Sequence, residues 1–160
     1  MNTAYLLTGG NMGDREQNLS TARQLIESRC GKIIKASSIY ETAAWGKTDQ
    51  PAFLNQALII HTSFNPDPLM QCVLDAEERM GRIRELKFGP RIIDIDILLF
   101  NNEIISTSLV KIPHPEMQNR RFVLVPLAEI ASTVIHPGLK RTIKELLNEC
   151  PDKLAVTKYS

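Results

Sequence analysis

The chain has 160 residues, about the length of one domain, and its 43% apolar and 23% charged residues are ordinary for a globular protein. Its 19 basic and 18 acidic side chains leave a formal net charge of +1. So small a net charge provides no long-range attraction for a polyanion, which argues against general nucleic-acid binding. We therefore expect a single domain over residues 1–160 with small-molecule partners.

The three cysteines are Cys30, Cys72 and Cys150, an odd number at wide spacing with no C-x-x-C pair. This pattern predicts reduced thiols rather than a disulfide framework or a zinc site. The N-terminus lacks a signal-peptide pattern, and no apolar run approaches the length of a membrane span. We therefore expect a cytoplasmic protein with no membrane association.

The first half of the chain predicts two helices among three strands, with glycine-rich residues 9–13 forming a turn after the first strand. Asp14 is the expected N-cap of the first helix and Gly31 its expected end. The helical segments show apolar residues at intervals of three and four. The predicted elements are a strand at 3–8, a helix at 14–31, one strand at 32–42, a loop at 43–51, a strand at 53–62 and a helix at 67–80.

The second half begins with a polar loop at 81–90 and continues into an apolar strand. Asn101 and Asn102 predict a hairpin turn, with Ile104 and Ile105 on the return strand. The remaining predicted elements are a proline-containing segment at 112–122, helices at 123–131 and 141–149, and an edge element at 152–160. The order predicts an α+β fold with a ferredoxin-like core (βαββαβ), a C-terminal hairpin and helices, forming a three-layer α/β/α sandwich.

Two aspartates interrupt the apolar strand at 93–100. Because strand side chains alternate, Asp94 and Asp96 share one face, with Cβ atoms roughly 6 to 7 Å apart, while Ile93, Ile95, Ile97 and Leu99 are expected to face a core. Two like charges at this distance repel each other, and a divalent cation such as Mg²⁺ would neutralise them. The alternative is the solvated polar face of a half-buried strand.

Five arginines lie near this strand in the sequence: Arg82, Arg84, Arg91, Arg120 and Arg121. Arginine side chains bind phosphate oxygens through two-point contacts and keep their charge at all physiological pH values. Aspartates, magnesium and arginines together therefore suggest a polyphosphate substrate. The alternative for Arg82 and Arg84 is that they are solvated surface residues.

His114 lies between Pro113 and Pro115, whose rigid backbones would hold its imidazole in place as a hydrogen-bond donor to phosphate. His61 lies within a predicted strand and His136 in a predicted turn, so we expect both to be structural.

Phe53 and Asn55 share a strand face, and the amide of Asn55 offers both a donor and an acceptor to the edge of a flat heterocycle. An aromatic side chain could cover the face of such a ring, although a phenylalanine is more often part of a core. The aromatic candidates are Trp45, Phe53, Phe88 and Phe122.

Several motifs closely resemble the 6-hydroxymethyl-7,8-dihydropterin pyrophosphokinase family of folate biosynthesis. Those of the second half are Gly89-Pro90-Arg91, Asp94-x-Asp96-x-Leu98-Leu99-Phe100, Pro113-His114 and Asn119-Arg120-x-Phe122. Those of the first half are Gly9-x-Asn11-x-Gly13-Asp14, Asn18-Leu19, Tyr40-Glu41-Thr42 and Gly46-x-x-Asp49-Gln50-Pro51-x-Phe53-Leu54-Asn55. The resemblance extends from residue 5 to about residue 150.

The resemblance implies transfer of the pyrophosphoryl group of ATP to the hydroxymethyl oxygen of the pterin, with release of AMP, by an enzyme that is commonly monomeric. It implies that Asp94 and Asp96 hold two Mg²⁺ ions. It assigns catalysis to Arg82, Arg91, Asp94 and Asp96. It assigns ATP binding to Glu77, Arg82, Arg84, Arg91, Leu98, His114 and Arg120. It assigns pterin binding to Thr42, Ala43, Trp45, Gly46, Phe53, Asn55, Phe88, Asp94 and Phe122.

Three loops, at 9–13, 43–51 and 81–90, are expected to close over the site and exclude water, because they are polar, contain glycine and flank it.

Two other functions fit parts of the pattern. An RNA-recognition domain shares the element order, but the chain lacks that class's aromatic signature and has a neutral charge balance. A kinase that transfers only the γ-phosphate would release ADP instead of AMP.

Overall fold

The computed structural model describes residues 1–43, 50–81 and 92–159, which form a mixture of helices and strands. The strands are β1 (Asn2–Gly10), β2 (Lys32–Ala36), β3 (Tyr40–Thr42), β4 (Phe53–Thr62), β5 (Asp94–Phe100), β6 (Ile105–Ser106), β7 (Lys111–Ile112), β8 (Ile135–His136), β9 (Arg141–Thr142) and β10 (Val156–Lys158). The helices are α1 (Arg15–Arg29), α2 (Pro66–Arg79), α3 (Arg121–Ala131) and α4 (Ile143–Glu149), with a 3-10 turn at Met117–Asn119. Among the described helices, none is long and apolar enough to cross a membrane.

Local sequence explains how α1 begins. The side chain of Asp14 accepts a hydrogen bond from the backbone N–H of Gln17 at 3.1 Å, which satisfies one of the free donors in the first helical turn. The predicted N-cap is therefore confirmed. Leu19, Ala22 and Ile26 follow at helical spacing and are buried, so the apolar side of α1 lies against the sheet.

The main sheet is antiparallel, with the order β10-β3-β4-β1-β5 and with β2 also paired to β4. Strand β1 lies in its interior and forms ladders on both sides. It pairs with β4 from Asn2↔Thr62 to Gly10↔Leu54 and with β5 from Ala4↔Phe100 to Gly9↔Asp94. The central strand therefore brings β4 and β5 to either side of the same residues.

The sheet is covered by helices on both faces. Helices α1 and α2 pack on one face over a buried cluster whose strand residues include Ala4, Leu6, Leu58, Ile60, Ile95 and Ile97. Helices α3 and α4 pack on the other face over a cluster whose strand residues include Leu7, Ala57, Ile59, Leu98 and Leu99. The alternation along β1 and β4 follows from the two-residue period of strand side chains. We refer to these as the α1/α2 face and the α3 face.

The single strand predicted at 32–42 is wrong, because the structure divides it into β2 and β3 at a bulge. Ala36 lies opposite Leu58 and Tyr40 lies opposite Asn55, so the first strand uses one more residue than its partner. Ser37 occupies the bulge: its N–H donates to the carbonyl of Ala57, and its Oγ accepts from the N–H of the same residue, both at 2.9 Å. A side-chain hydroxyl thus takes the place of a backbone carbonyl in the ladder.

A bulge between β1 and β5 places Leu99 on a different face from the one predicted. Leu6 lies opposite Ile97 and Tyr5 lies opposite Leu99, so Leu98 is the additional residue in β5. The side chains of Leu98 and Leu99 consequently both belong to the α3 face. Beyond the bulge the alternation is reversed, and the α1/α2 face is taken by Phe100 instead.

The strand that follows β5 does not pair with β5, as the predicted hairpin requires, but with another strand. Asn101 adopts the left-handed conformation with φ 52°, as a turn at this position requires. The returning strand β6 pairs with β7 through Ile105↔Ile112, and β5 is not its partner. Ile104, predicted to lie on the return strand, is 68% exposed and precedes β6.

The tail strand β10 pairs with β3, so the edge element predicted at 152–160 is confirmed.

The expectation that all three cysteines are unpaired thiols is wrong. Cys30, at the end of α1, and Cys72, on α2, are joined as a disulfide with their Cα atoms 5.9 Å apart. Cys150 is free and buried. The two helices lie side by side on one face of the sheet, so residues 42 positions apart meet. Sequence spacing alone does not report such a long-range contact.

A carboxylate on α3 fastens the Ser37 bulge to the helix. Glu129 accepts hydrogen bonds from the Tyr40 hydroxyl at 2.6 Å and from the Ser38 N–H at 3.0 Å. Partial burial acts to raise the pKa of Glu129, but these bonds and the charge of Lys158 together lower it below its ordinary value. Burial, aided by the bond to Glu129, raises the pKa of Tyr40 to about 12.

The lowered pKa of Glu129 predicts part of the acid sensitivity of the fold. Its ionised form stabilises the folded state at pH values above the ordinary carboxyl pKa, and this contribution is lost as the pH falls through the folded-state pKa. Urea unfolding from about pH 7 to about pH 3 should therefore show a smaller loss of stability for Glu129→Gln than for the unmodified chain. Glu16→Gln, an exposed change on α1, is the control; equal losses for the two variants would contradict the role of Glu129.

Candidate active site

The sheet register places four residues of the candidate site and its surroundings in one row that crosses β3, β4, β1 and β5. Tyr40 lies opposite Asn55, Asn55 opposite Gly9, and Gly9 opposite Asp94. Residues directly opposite each other on neighbouring strands project from the same face. The adjacent row contains Leu7, which belongs to the α3 face, and Asp96. The polar side chains of β4 and β5 therefore lie on the α3 face.

Gly9 brings the two sides of this row together because it has no side chain. A Cβ at this position would overlap the Oδ1 atom of Asn55 and would lie 3.2 Å from the carbonyl oxygen of Leu54. The Asn55 amide therefore occupies the space above β1, between β4 and β5, with only 4% of the residue exposed. A glycine inside a strand often marks such a close approach, and this signal in the sequence could have identified Gly9 as a site residue.

Residues at the ends of β3 and β4 extend the row. Thr42 lies opposite Phe53, and Thr42 is 3% exposed while Phe53 is half-buried. The hydroxyl oxygen of Thr42 is buried and has no hydrogen-bond partner within the described ranges. Because buried polar atoms are normally paired, this oxygen is available to a ligand. Exposed Ala43 follows directly, so four predicted pterin-binding positions, counting Asn55, lie together.

Asp94 and Asp96 both project from β5 and are partly exposed. The described ranges contain no group of three or more His, Cys, Asp or Glu side chains arranged to hold a metal. Two carboxylates on one face nevertheless fit Mg²⁺, which typically takes one or two protein carboxylates and completes its shell with water and substrate phosphates. The donor set therefore suits a cation that arrives together with a phosphate-bearing substrate.

His114 is half-buried beside β5, where its N–H donates to the carbonyl of Leu98 at 2.9 Å. Its Nδ1 accepts a hydrogen bond from the N–H of Glu116 at 3.2 Å, so the neutral ring carries its proton on Nε2. Burial lowers the pKa of His114, and the nearby Arg120 guanidinium lowers it further, while Asp94 and Glu116 act in the opposite direction. His114, Arg120 and Asp94 are thus close enough to interact electrostatically.

Arg120 lies between the 3-10 turn and α3, with its guanidinium carbon 5.9 Å from the centre of the Phe122 ring. This is within the range of a cation–π contact. Phe122 is half-buried and packs against the cluster of the α3 face. The start of α3 therefore presents a cation and an aromatic ring on the same side of the sheet as the aspartates.

The remaining predicted residues divide into two groups. Glu77 is buried near the end of α2, with Oε2 accepting from the N–H of Ile95 at 2.6 Å, and Leu98 is buried within the cluster of the α3 face. Neither position tests the predicted contact with ATP. The predictions for Trp45, Gly46, Arg82, Arg84, Phe88 and Arg91 fall outside the described residues.

Two side chains that the sequence assigned to no role hold the segment that follows residue 49. Asn11 is 1% exposed, and its Nδ2 donates to the side chain of Gln50 at 3.1 Å and to the carbonyl of Pro51 at 3.0 Å. Arg15 donates to the carbonyl of Ala52 at 2.9 Å and forms an ion pair with Glu41 at 2.7 Å. These contacts join residues that are far apart in the sequence, so spacing did not predict them. The only local signal was that Asn11 lies in the glycine-rich turn at 9–13.

Comparison with known proteins gives consistent results. The family model of 7,8-dihydro-6-hydroxymethylpterin-pyrophosphokinase (HPPK) matches residues 5–132. The 2-amino-4-hydroxy-6-hydroxymethyldihydropteridine pyrophosphokinase of Bacillus subtilis is 48% identical over 134 residues, covering 83% of this chain and 80% of that protein. The protein of the same name from Aquifex aeolicus is 42% identical over 149 residues, covering 93% and 92%.

Solved structures of longer proteins share the fold. A crystal structure of HPPK-DHPS in complex with substrates superimposes with a TM-score of 0.76 at 19% identity, covering 92% of this chain and 43% of that one. Wild-type HPPK-DHPS of Plasmodium falciparum with SDX-DHP gives a TM-score of 0.72 at 21% identity, covering 93% and 43%. The chain thus spans less than half the length of these structures, and at these identities they indicate the fold alone. Because the family model covers most of the chain, and two relatives at 48% and 42% identity match it over 80% and 92% of their length, the chain belongs to the HPPK family.

Proposed function

We propose that this chain transfers the pyrophosphoryl group of ATP to the hydroxymethyl oxygen of 6-hydroxymethyl-7,8-dihydropterin, producing the pterin diphosphate and AMP in folate biosynthesis. The observation that carries the proposal is the row across β4, β1 and β5. It places an amide suited to a heterocycle edge, Asn55, on one side of Gly9 and a carboxylate suited to a phosphate-bound cation, Asp94, on the other. A pterin and a triphosphate would then meet above β1.

The pterin would bind at the Asn55 end of the row. The amide of Asn55 and the buried hydroxyl oxygen of Thr42 supply hydrogen-bonding groups for the edge of the ring. Half-buried Phe53 and Phe122 lie on the same face of the sheet and would cover the two faces of the ring. The family resemblance adds further pterin contacts at Ala43, Trp45, Gly46 and Phe88.

ATP would bind at the Asp94 end. Asp94 and Asp96 would hold two Mg²⁺ ions, which when bound supply charge neutralisation and orientation of the triphosphate oxygens. The guanidinium of Arg120 and the Nε2–H of His114 would donate to phosphate oxygens on the same side. The family resemblance adds Arg82, Arg84 and Arg91 to this group, and Glu77 and Leu98 to the nucleotide site.

The contribution of the chain to the reaction would be positioning and electrostatic stabilisation rather than proton abstraction by a dedicated base. Binding both substrates across β1 would align the pterin hydroxyl with the β-phosphorus and with the leaving oxygen of AMP. Exclusion of water would fall to the loops at 9–13, 43–51 and 81–90. Asn11 holds the last two residues of the second loop, Gln50 and Pro51, and Arg15 holds Ala52 directly after it.

We also propose a ferredoxin-like core for this domain, with the layers of an α/β/α sandwich. The antiparallel order β5-β1-β4-β3, with α1 and α2 on one face, supports the ferredoxin-like arrangement of βαββαβ. The placement of α3 and α4 on the opposite face supports the third layer. A single domain over residues 1–160, a monomeric state and a cytoplasmic location complete the proposal.

The product nucleotide tests the reaction. The protein would be incubated with ATP, Mg²⁺ and 6-hydroxymethyl-7,8-dihydropterin, and the nucleotides separated by chromatography. AMP formed in proportion to pterin consumed is the expected result. Pterin-dependent ADP would instead indicate a kinase that transfers the γ-phosphate, and the absence of any pterin-dependent turnover would overturn the proposal.

Removal of one carboxylate from the pair tests the cation site. Asp94→Asn should lower turnover by more than about a hundredfold, because a cation at the reacting phosphates loses a ligand. The circular dichroism spectrum should remain that of the unmodified chain, since Asp94 is partly exposed on β5. Asp67→Asn, an equivalent change on α2, serves as the control. Near-normal turnover of Asp94→Asn would contradict the assignment.

A methyl group at Gly9 tests the pterin end of the row. Gly9→Ala should displace the Asn55 amide and raise the KM for pterin by about tenfold or more, while the KM for ATP changes little. The double variant Gly9→Ala, Asn55→Ala removes the overlap with the amide but keeps the 3.2 Å approach to the Leu54 carbonyl oxygen, so it should recover part of the thermal stability without recovering the KM for pterin. An unchanged KM in the single variant would show that Asn55 does not bind the substrate.

A further inference from the structure

A buried carboxylate lies next to the aspartate pair on the side of the strand away from the α3 face. Glu77, near the end of α2, is 2% exposed, and its Oε2 accepts a hydrogen bond from the N–H of Ile95 at 2.6 Å. Ile95 is the residue between Asp94 and Asp96, and its own side chain is buried in the cluster of the α1/α2 face. The backbone between the two aspartates is therefore held by a carboxyl group from a different element.

The direction of this N–H follows from the ladder between β1 and β5. Asp94 lies opposite Gly9, Ile95 opposite Thr8 and Asp96 opposite Leu7. In an antiparallel pair, backbone groups point alternately toward the partner strand and away from it. The N–H of Ile95 points away from β1 and reaches Glu77, so the aspartate segment is held by β1 on one side and by α2 on the other.

Within the described ranges β5 is an outer strand of the main sheet, and the N–H of Ile95 on its outer side is bonded to the carboxyl group of Glu77. A buried charge must be compensated by strong hydrogen bonds, and an edge N–H can otherwise bond to water. Charge-assisted hydrogen bonds are shorter and stronger than neutral ones, so Glu77 restricts this peptide more than water would. Glu77 does not form a metal-ligand group with Asp94 and Asp96, since no such group of three occurs in the described ranges.

We propose that Glu77 is a positioning residue for the cation site, which sets the relative placement of the Asp94 and Asp96 carboxylates through the backbone of Ile95. The inference rests on the proposed function only in taking the aspartates as ligands of a divalent cation. It gives Glu77 a role distinct from the direct nucleotide contact that the family resemblance implies. Groups that orient metal ligands typically affect metal affinity by about 10- to 100-fold when removed.

Three variants of the full chain test this role. Glu77→Leu removes the acceptor and keeps an apolar side chain in the buried position, whereas Glu77→Gln keeps a weaker, neutral acceptor. Glu78→Leu makes the same change of charge at the neighbouring exposed position and is the control. The first measurement is hydrogen exchange of the Ile95 amide in the metal-free protein. The second is calorimetric titration with Mn²⁺ in the presence of a non-hydrolysable ATP analogue.

We expect protection of the Ile95 amide and Mn²⁺ affinity to fall together. The order should be unmodified chain, then Glu77→Gln, then Glu77→Leu, with a loss of affinity of about tenfold or more in the last. Glu78→Leu should match the unmodified chain in both measurements. If Glu77→Leu does not fold, Glu77→Gln must still show weaker protection of Ile95 together with weaker binding.

Two results would overturn the inference. One is an unchanged Mn²⁺ affinity in a variant that has lost protection at Ile95. The other is a loss of affinity in Glu77→Gln with full protection at Ile95, because charge rather than position would then be responsible. Failure of the unmodified chain to bind Mn²⁺ with the analogue would instead contradict the cation site of the proposed function.

Discussion

The two ladders formed by β1 are the constraint on which the site depends. Because side chains alternate along a strand, a slip of one residue between β1 and either neighbour would move Asn55 or Asp94 to the opposite face. The register that keeps both on the α3 face is specified by burial, since Ala4 and Leu6 must lie under α1 and α2 while Leu7 lies under α3. The core and the site are therefore specified by the same pairing. Gly9, which has no side chain, then leaves room for the Asn55 amide above β1, on the side of Asp94.

The charged and titratable groups of the candidate site lie close together but differ in how their protonation depends on pH. Burial and the neighbouring Arg120 lower the pKa of His114, since both disfavour the imidazolium. Its Nδ1 is already occupied by the N–H of Glu116, which leaves Nε2–H directed elsewhere. Arg120, in turn, is supported by the ring of Phe122. This part of the candidate site thus contains one permanent cation, one imidazole with a lowered pKa and the two aspartates.

Local patterns in the sequence predicted the features that depend on near neighbours. The N-cap at Asp14 and the shared face of Asp94 and Asp96 follow from spacing alone. Features that depend on distant contacts were missed: the Ser37 bulge is held by Ala57, the reversal at Leu98 depends on β1, and Cys30 meets Cys72 only because two helices pack together. The contact of Glu77 with Ile95 belongs to the same class.

The tail strand has a consequence for the behaviour of the protein at high concentration. Without β10, the outer edge of β3 would present unpaired N–H and C=O groups directly beside Thr42, and such an edge is a template for pairing with another molecule. Tyr159 fastens the tail further, through its N–H to the carbonyl of Ile39 at 2.8 Å and through its ring 5.7 Å from the guanidinium carbon of Arg15. The new edge is only three residues long and carries the exposed charge of Lys158. The C-terminal segment therefore protects the β3 edge of the sheet, beside the candidate site, against self-association and aggregation.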